Sequence, residues 1–244
     1  LAQHVWDEDG MRNRLQRLVA AEHADERAVG VIDETSHPKK GCHTPGVKRQ
    51  YCGATGKIDN CTVSVHLAYA GDGMRLLLDA DLFVPEEWAD DTERRREAGI
   101  PGSVVHRTKC DIALALLDRA LGNGVHFRWL TFDEGYGQSP EFLHALTARN
   151  QRYVAEVPVA IHGWVREPRV MQRDHGKRTG RPRRMPRVFV QDSHVSSVRN
   201  LFRHSPAFTR QAWIALYVKD TTKGPVVWEI KESPFWLRRE GVPT

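Results

Sequence analysis

The stretch from 61 to 83 constrains the fold most, because it alternates apolar and polar side chains over two consecutive segments. "CTVSVHLAYA" has an apolar residue at every second position, at Cys61, Val63, Val65, Leu67 and Tyr69. A strand shows this period of two when one of its faces is buried. "GDG" follows as a turn, and "MRLLLDADLFV" returns as a second strand. The pattern predicts a β-hairpin with one buried face, and therefore a sheet around it.

The segments around this hairpin have strand and helix patterns in turn. An amphipathic helix over 7–24, with apolar positions at Met11, Leu15, Leu18 and Val19, precedes the short buried strand "AVGVIDET". After the hairpin, the sequence predicts two helices, a strand, a helix and a strand, at "PEEWADDTERRREAG", "TKCDIALALLDRALGNG", "HFRWLTFDE", "SPEFLHALTARN" and "RYVAEVPVAI". This order predicts an α/β fold, an RNase H-like mixed sheet flanked by helices.

The character of the chain changes after about residue 160. Arg and Lys are frequent from 166 to 187, where apolar residues are few, and "VFVQD", "QAWIALYVKD" and "VVWEIKE" beyond it predict short strands. We therefore expect three regions. These are an N-terminal helical segment (1–28), the first part of an RNase H-like core (29–160), and a basic loop with a C-terminal β-rich insertion region (161–244).

Composition narrows the classes of partner. The formal net charge of +5 favours an anionic partner such as nucleic acid. The four cysteines form no CxxC pair, and the twelve histidines form no HEXXH or HxxxH pattern, so zinc and disulfide frameworks are not indicated. No stretch approaches the roughly 20 apolar residues of a membrane helix, and no signal peptide is visible. We expect a cytoplasmic protein.

Two of the predicted strands end on Asp-Glu, at "VGVIDET" and "WLTFDEGYG". Alternation places each Asp on the face opposite its Glu neighbour. If the two strands lie side by side, Asp33 and Asp133 emerge near one edge of the sheet. Two close carboxylates repel each other unless a cation lies between them, and hard oxygen ligands select Mg²⁺ or Mn²⁺. The alternative is that each Asp only caps the turn that follows its strand.

Five segments of the chain are similar to those of a known family: "VGVIDETSHPKKGCHTPGVKRQYCGATGKIDNCTVSVHLAYA", "LFVPEEWADDTERRREAGIP", "TKCDIALALLDRAL", "WLTFDEGYGQSPEFLHAL" and "TTKGP". In these segments the chain resembles bacterial insertion-sequence transposases with a DDE endonuclease core. The resemblance implies an RNase H-like fold with a β-rich insertion, Mg²⁺ or Mn²⁺ catalysis, and DNA transposition by a homodimer in a synaptic complex. Residue by residue, Asp33 matches the first catalytic Asp and metal ligand, and Asp133 the second.

The third acid of that family is a Glu on a helix after the insertion, and no such segment is visible in this sequence. The glutamates in question have the wrong context: Glu156 comes too early, Glu229 and Glu232 lie in a predicted strand, and Glu240 has no helix around it. The third catalytic Glu is therefore unknown. We expect the chain to stop before it, as a fragment or a decayed copy. The alternative function is then a truncated, catalytically impaired transposase fragment that only binds DNA.

Two further hypotheses concern charged residues. Basic side chains after Asp33 and in the basic loop are candidates to hold the DNA backbone: Lys39, Lys40, Lys48, Arg49, Lys57, Lys177, Arg178, Arg181, Arg183 and Arg184. A solvated loop is the alternative for the second group. "LLLDADLF" is similar to the aspartate motif of haloacid dehalogenase-like phosphatases, with Asp79 and Asp81 as its acids. Phe83 stands where that motif has a small residue.

Overall fold

The computed structural model describes residues 6–171, 187–188, 195–239 and 242–243. The chain divides into two compact units, one formed by the described residues up to Glu156 and one by those from Val157 onward.

The first unit contains a six-stranded mixed sheet and six helices among its described residues. Its elements in chain order are α1 (Glu8–Glu22), β1 (Val29–Pro38), β2 (Lys48–Cys52), β3 (Lys57–Gly71), β4 (Met74–Phe83), α2 (Glu86–Asp90), α3 (Thr92–Glu97), α4 (Lys109–Gly122), β5 (Trp129–Phe132), α5 (Glu134–Gly137), α6 (Pro140–Ala148) and β6 (Tyr153–Ala155). The strand order is β2-β3-β1-β5-β6, and β4 also pairs with β3. The β1, β5 and β6 strands are parallel, and the others are antiparallel. The predicted α/β fold with a mixed sheet flanked by helices is confirmed.

The predicted hairpin is β3 and β4. All five alternate apolar residues of β3, from Cys61 to Tyr69, are buried. The chain reverses at Asp72 and Gly73, which both have positive φ angles, of 49° and 67°. That backbone conformation suits a tight hairpin turn, since Gly adopts it freely and Asp more easily than most residues. The hairpin therefore forms for the local reasons that the sequence indicates.

The helix α4 covers the hairpin. It packs on β3 and β4 with a face of Ile112, Ala113, Leu116, Leu117 and Ala120, all buried. A capping box begins it: Thr108 accepts a hydrogen bond from the backbone N–H of Asp111, whose carboxylate accepts one from the N–H of Thr108. Reciprocal bonds of this kind satisfy two N–H groups that a helix start leaves unpaired.

The helix α1 differs from its prediction in the face that it buries. Gln16 and Val19 are its buried residues. The predicted apolar positions Met11, Leu15 and Leu18 are instead 57%, 38% and 46% exposed. Its polar face turns inward because β4 offers a buried carboxylate there, as described below. The helix predicted at "PEEWADDTERRREAG" is two short helices, since Asp91 caps the second of them through the N–H of Arg94.

The second unit is built from short strands and two short helices. Its described elements are β7 (His162–Trp164), β8 (Val170–Met171), β9 (Arg187–Val188), β10 (Ser196–Ser197), α7 (Val198–His204), α8 (Pro206–Thr209), β11 (Ile214–Thr221), β12 (Gly224–Ile230), β13 (Trp236–Arg239) and β14 (Val242–Pro243). The strands form a four-stranded sheet and two separate two-stranded ones. Of the helices in the described ranges of both units, none is long and apolar enough to cross a membrane.

Candidate active site

The first and fourth predicted strands lie side by side as β1 and β5, in parallel. Their last registered pair is Val31 with Thr131, so Asp33 and Asp133 each follow two residues later. Because side chains alternate along a strand, both carboxylates share the sheet face of that pair, and both are exposed. Ile32 points to the opposite face, into the core. The structure thus brings the two predicted Asp residues to one edge and one face of the sheet.

Gly30 leaves room for two core side chains beside β1. A Cβ atom at position 30 would lie 2.7 Å from Leu130 Cδ1 and 2.9 Å from Phe127 Cδ1, and both side chains belong to the core. Either contact is too short for a carbon pair. Any larger residue at this position would displace Leu130 and Phe127 in the core beneath the two carboxylates.

Each carboxylate uses one oxygen for a local backbone hydrogen bond. Asp33 Oδ1 accepts from the N–H of Glu34 at 2.7 Å, and Asp133 Oδ1 accepts from the N–H of Gly135 at 2.9 Å. Asp133 is the N-cap of α5, so one of its oxygens does cap the turn that follows its strand, as the alternative interpretation predicted. In the described part of the chain, no protein group donates to the second oxygen of either carboxylate. Those two oxygens are therefore available to a cation.

A partly buried polar cluster lies behind the pair, on the opposite face of the sheet. Glu34 accepts a hydrogen bond from Lys109 Nζ at 2.5 Å, which connects the middle of β1 to the start of α4. The Tyr136 hydroxyl is buried and has no hydrogen-bond partner in the described protein. Burial most of all, and then the charges of Glu34 and nearby groups that include Asp133 and Asp33, raise the pKa of Tyr136. This phenol stays protonated close to the site.

His66 on β3 is a neighbour of the pair that the sequence interpretation missed. It stands opposite Asp33 in the β1–β3 register, and its Nε2 is 2.7 Å from the Ser64 hydroxyl oxygen. Burial first and the neighbouring His37 second lower the pKa of His66, and Asp33 opposes them. The ring is therefore neutral at neutral pH. The signal was present in the sequence, because the alternation of β3 places Ser64 and His66 on the outer face.

Five of the ten basic candidates lie among the described residues, and five lie outside them. Lys39, Lys40, Arg49 and Lys57 are exposed, and Lys57 is 4.0 Å from Asp59. Lys48 is half-buried and forms an ion pair with Glu87 at 3.4 Å. The other five lie outside the described residues: Lys177, Arg178, Arg181, Arg183 and Arg184.

Among the described residues, no third acid is gathered with Asp33 and Asp133. Those ranges contain no group of three or more His, Cys, Asp or Glu side chains that could hold a metal ion. Glu156 directly follows β6 and is exposed. Neither α7 nor α8 contains an acidic residue. Glu229 lies on β12 and Glu232 follows that strand, both in the second unit, and Glu240 lies outside the described residues.

Comparison with known proteins gives the family. A family model described as "DDE superfamily endonuclease" matches residues 1–225, which is most of the chain. The chain belongs to the DDE superfamily endonucleases. It is also similar to a probable transposase for insertion sequence element IS701 from Microchaete diplosiphon, with 31% identity over 153 residues. That alignment covers 62% of this chain but 37% of the relative's length. No solved structure matches the chain significantly.

The surroundings of Asp79 in this DDE family member exclude a phosphatase nucleophile. The Asp79 side chain is fully buried. It lies 3.6 Å from Arg12 and 3.5 Å from Arg119, and accepts a hydrogen bond from Gln16 at 3.3 Å. Asp81 forms an ion pair with Arg107. A carboxylate that a substrate phosphorus cannot reach does not act as a nucleophile, so the phosphatase hypothesis was wrong. The network instead joins α1, β4 and α4.

Proposed function

We propose that this chain carries the nuclease site of a transposase, which cuts DNA at the ends of an insertion sequence and joins them to target DNA. One observation carries the proposal: Asp33 and Asp133 each lie two residues beyond the last registered pair of the adjacent parallel strands β1 and β5, on the same exposed face of the sheet. The family match and the transposase relative agree with it. The chain aligns with only 37% of that relative, so the activity of the whole protein is part of the proposal.

Asp33 and Asp133 would hold a divalent cation, Mg²⁺ or Mn²⁺. Their donor set fits such an ion, because each carboxylate keeps one oxygen that no described protein group uses. When bound, the ion would supply Lewis-acid activation and stabilise the charge that develops on the phosphate. The backbone N–H groups of Glu34 and Gly135 fix the orientation of the two carboxylates before any ion arrives.

The reaction needs two phosphoryl transfers. In the first, the oxygen of a water molecule attacks phosphorus, the bond from phosphorus to the 3′ oxygen breaks, and that oxygen takes up a proton to become a free 3′ hydroxyl. In the second, this hydroxyl attacks a phosphorus of the target DNA, the P–O bond to the target's own 3′ oxygen breaks, and that oxygen leaves with the proton. The chain's residues serve both steps by positioning. Gly30 leaves room for the core side chains of Leu130 and Phe127 beneath the strand that carries Asp33. Lys39 and Lys40 would hold the DNA backbone beside them.

A second candidate function is DNA binding without cleavage. The observation in its favour is that the described residues contain no third acid at the site. Two carboxylates hold divalent ions less firmly than three. The proposals of a homodimer and of a cytoplasmic location rest on the family resemblance and on the sequence, respectively.

A plasmid-nicking assay with Mn²⁺ or Mg²⁺ tests the proposed function. We expect Asp33→Asn and Asp133→Asn each to lower the cleavage rate by about a hundredfold or more, since the ion stabilises several kcal/mol of transition-state charge. Asp90→Asn is the matched control, because Asp90 is exposed and lies at the end of α2. Wild-type nicking that survives either site substitution would contradict the assignment. DNA binding with no nicking in the wild type would favour the second candidate.

A further inference from the structure

The outer face of β1 and β3 carries a row of small polar side chains that the proposed function does not use. Thr35 and His37 follow Asp33 on its face of β1, and Ser64 and His66 lie across from them on β3. The registered partners are Asp33 with His66 and Thr35 with Ser64. Thr35 and His37 are exposed, and Ser64 and His66 are half-buried. We call these four residues the polar row.

The polar row is ordered by its own hydrogen bonds. The Ser64 hydroxyl oxygen lies 2.7 Å from His66 Nε2 and 3.5 Å from the carbonyl oxygen of Thr35. When Ser64 donates to Nε2, the neutral imidazole keeps its proton on Nδ1. Nothing else in the described ranges hydrogen-bonds the ring. In the tautomer in which Ser64 donates to Nε2, His66 keeps one N–H donor, on Nδ1.

The polar row leads from Asp33 to two lysines. Asn60 holds the loop after β1, because its side-chain amide donates to the carbonyl oxygens of Lys39 at 2.9 Å and of Gly41 at 2.7 Å. Lys39 and Lys40 are both exposed. Six residues of extended chain separate Asp33 from Lys39, which is about 20 Å. That length equals roughly six base-pair steps along B-DNA.

We propose that the polar row is a track for one DNA strand, on which His66 donates a hydrogen bond to a phosphate next to the cleaved bond. The inference rests on the proposed DNA substrate and adds the path of the strand. Neutral side-chain donors are common phosphate contacts, and a neutral imidazole has one N–H to donate. Neutral donors suit this place, because a fixed cation beside Asp33 would compete with a metal ion for the carboxylate. Positive charge enters the track at its far end, at Lys39 and Lys40.

Binding of a fluorescein-labelled duplex of arbitrary sequence, without divalent ions and at mildly alkaline pH, tests this track in the full chain. We expect His66→Ala to weaken binding about fivefold to tenfold, since a hydrogen bond to a charged group is lost. Ser64→Ala should weaken binding about twofold to threefold, since it removes only the hydrogen bond that orients the His66 imidazole. The dependence of log affinity on log salt should stay unchanged in both, because no cation is removed. Lys40→Ala should instead lower that slope by about 0.9.

His126→Ala is the matched control, because His126 is exposed and precedes β5 at the other end of the strand. The track is overturned if His66→Ala and Ser64→Ala bind the duplex as tightly as His126→Ala does. Labelled-histidine NMR of the unmodified chain gives the second measurement, in which the duplex should shift the His66 and His37 resonances and leave His126 in place. Unmoved His66 resonances would also overturn it.

Mn²⁺ affinity, measured on the same variants, separates this inference from the proposed function. We expect His66→Ala to bind Mn²⁺ as the wild type does. Loss of both Mn²⁺ and DNA affinity would mean that His66 acts through Asp33, which overturns the track. If the wild type binds no Mn²⁺ and does not nick plasmid, but His66→Ala still weakens duplex binding, the nuclease proposal fails and the track stands.

Discussion

The substitution Asp79→Asn should destabilise the first unit without touching the carboxylate pair. The substitution removes the negative charge and replaces one acceptor oxygen by an amide nitrogen, which is a donor. That nitrogen would face two other donors, the side chains of Gln16 and Arg119. Each of the two guanidinium contacts is worth about 1 kcal/mol, because both arginine side chains are 32% exposed and partly screened. The Gln16 hydrogen bond contributes about 1 kcal/mol more. The free energy of unfolding should therefore fall by about 3 kcal/mol, within the range for breaking a buried ion pair.

Thermal unfolding followed by far-UV circular dichroism measures this change. For a domain of this size, each kcal/mol shifts Tm by roughly 2–4 °C, so we expect a decrease of about 9 °C. The control Asp90→Asn should change Tm by less than about 2 °C, since surface substitutions cost little. Nicking at a permissive temperature should survive in both variants. An unchanged Tm, or activity lost from a fully folded Asp79→Asn protein, would refute the structural role of Asp79.

Three other predictions concern groups near the site. Tyr136→Phe removes a buried hydroxyl without a described partner, so the free energy of unfolding should rise by about 1 kcal/mol. If chemical denaturation shows that this free energy clearly falls, the hydroxyl is hydrogen-bonded. Lys109→Met should lower stability by about 1–2 kcal/mol by leaving Glu34 unpaired, and Lys109→Arg should recover part of it; equal Tm values for all three proteins would contradict the contact. Burial raises the pKa of the Cys61 thiol to about 11, so the unreactive thiol is its main form near pH 8. At that pH a thiol reagent should modify exposed Cys42 and spare Cys61 until unfolding, and equal labelling rates would refute this.

The parts of the fold that the sequence predicted are those with local causes. The period of two in β3 and the turn at Asp72 and Gly73 specify the hairpin within one continuous stretch. The capping residues Thr108 and Ser139 likewise mark the starts of α4 and α6. The adjacency of Asp33 and Asp133 followed from these elements, since an RNase H-like order places their strands together. Their catalytic and metal-binding roles stay predictions.

The features that were missed depend on contacts between distant residues. The inward face of α1 is polar because Gln16 meets Asp79, 63 positions away in the sequence. A periodicity count over one helix cannot show such a partner, and it selected Leu15 and Leu18 instead. His66 was missed for a related reason: its importance comes from the register that sets it opposite Asp33. The role of the "LLLDADLF" acids likewise comes from distant partners, since Asp79 meets Arg12 and Arg119, and Asp81 meets Arg107.

Iron-directed cleavage of the protein chain tests the central claim most directly. Fe²⁺ bound in place of Mg²⁺ and supplied with ascorbate and peroxide releases hydroxyl radicals, which cut the backbone beside the ion. If Asp33 and Asp133 hold one ion together, the cuts fall near both residues, Mg²⁺ suppresses them, and Asp33→Asn abolishes both sets at once. Cuts near only one of the two residues, or a pattern that Asp33→Asn leaves unchanged, would contradict a shared metal site.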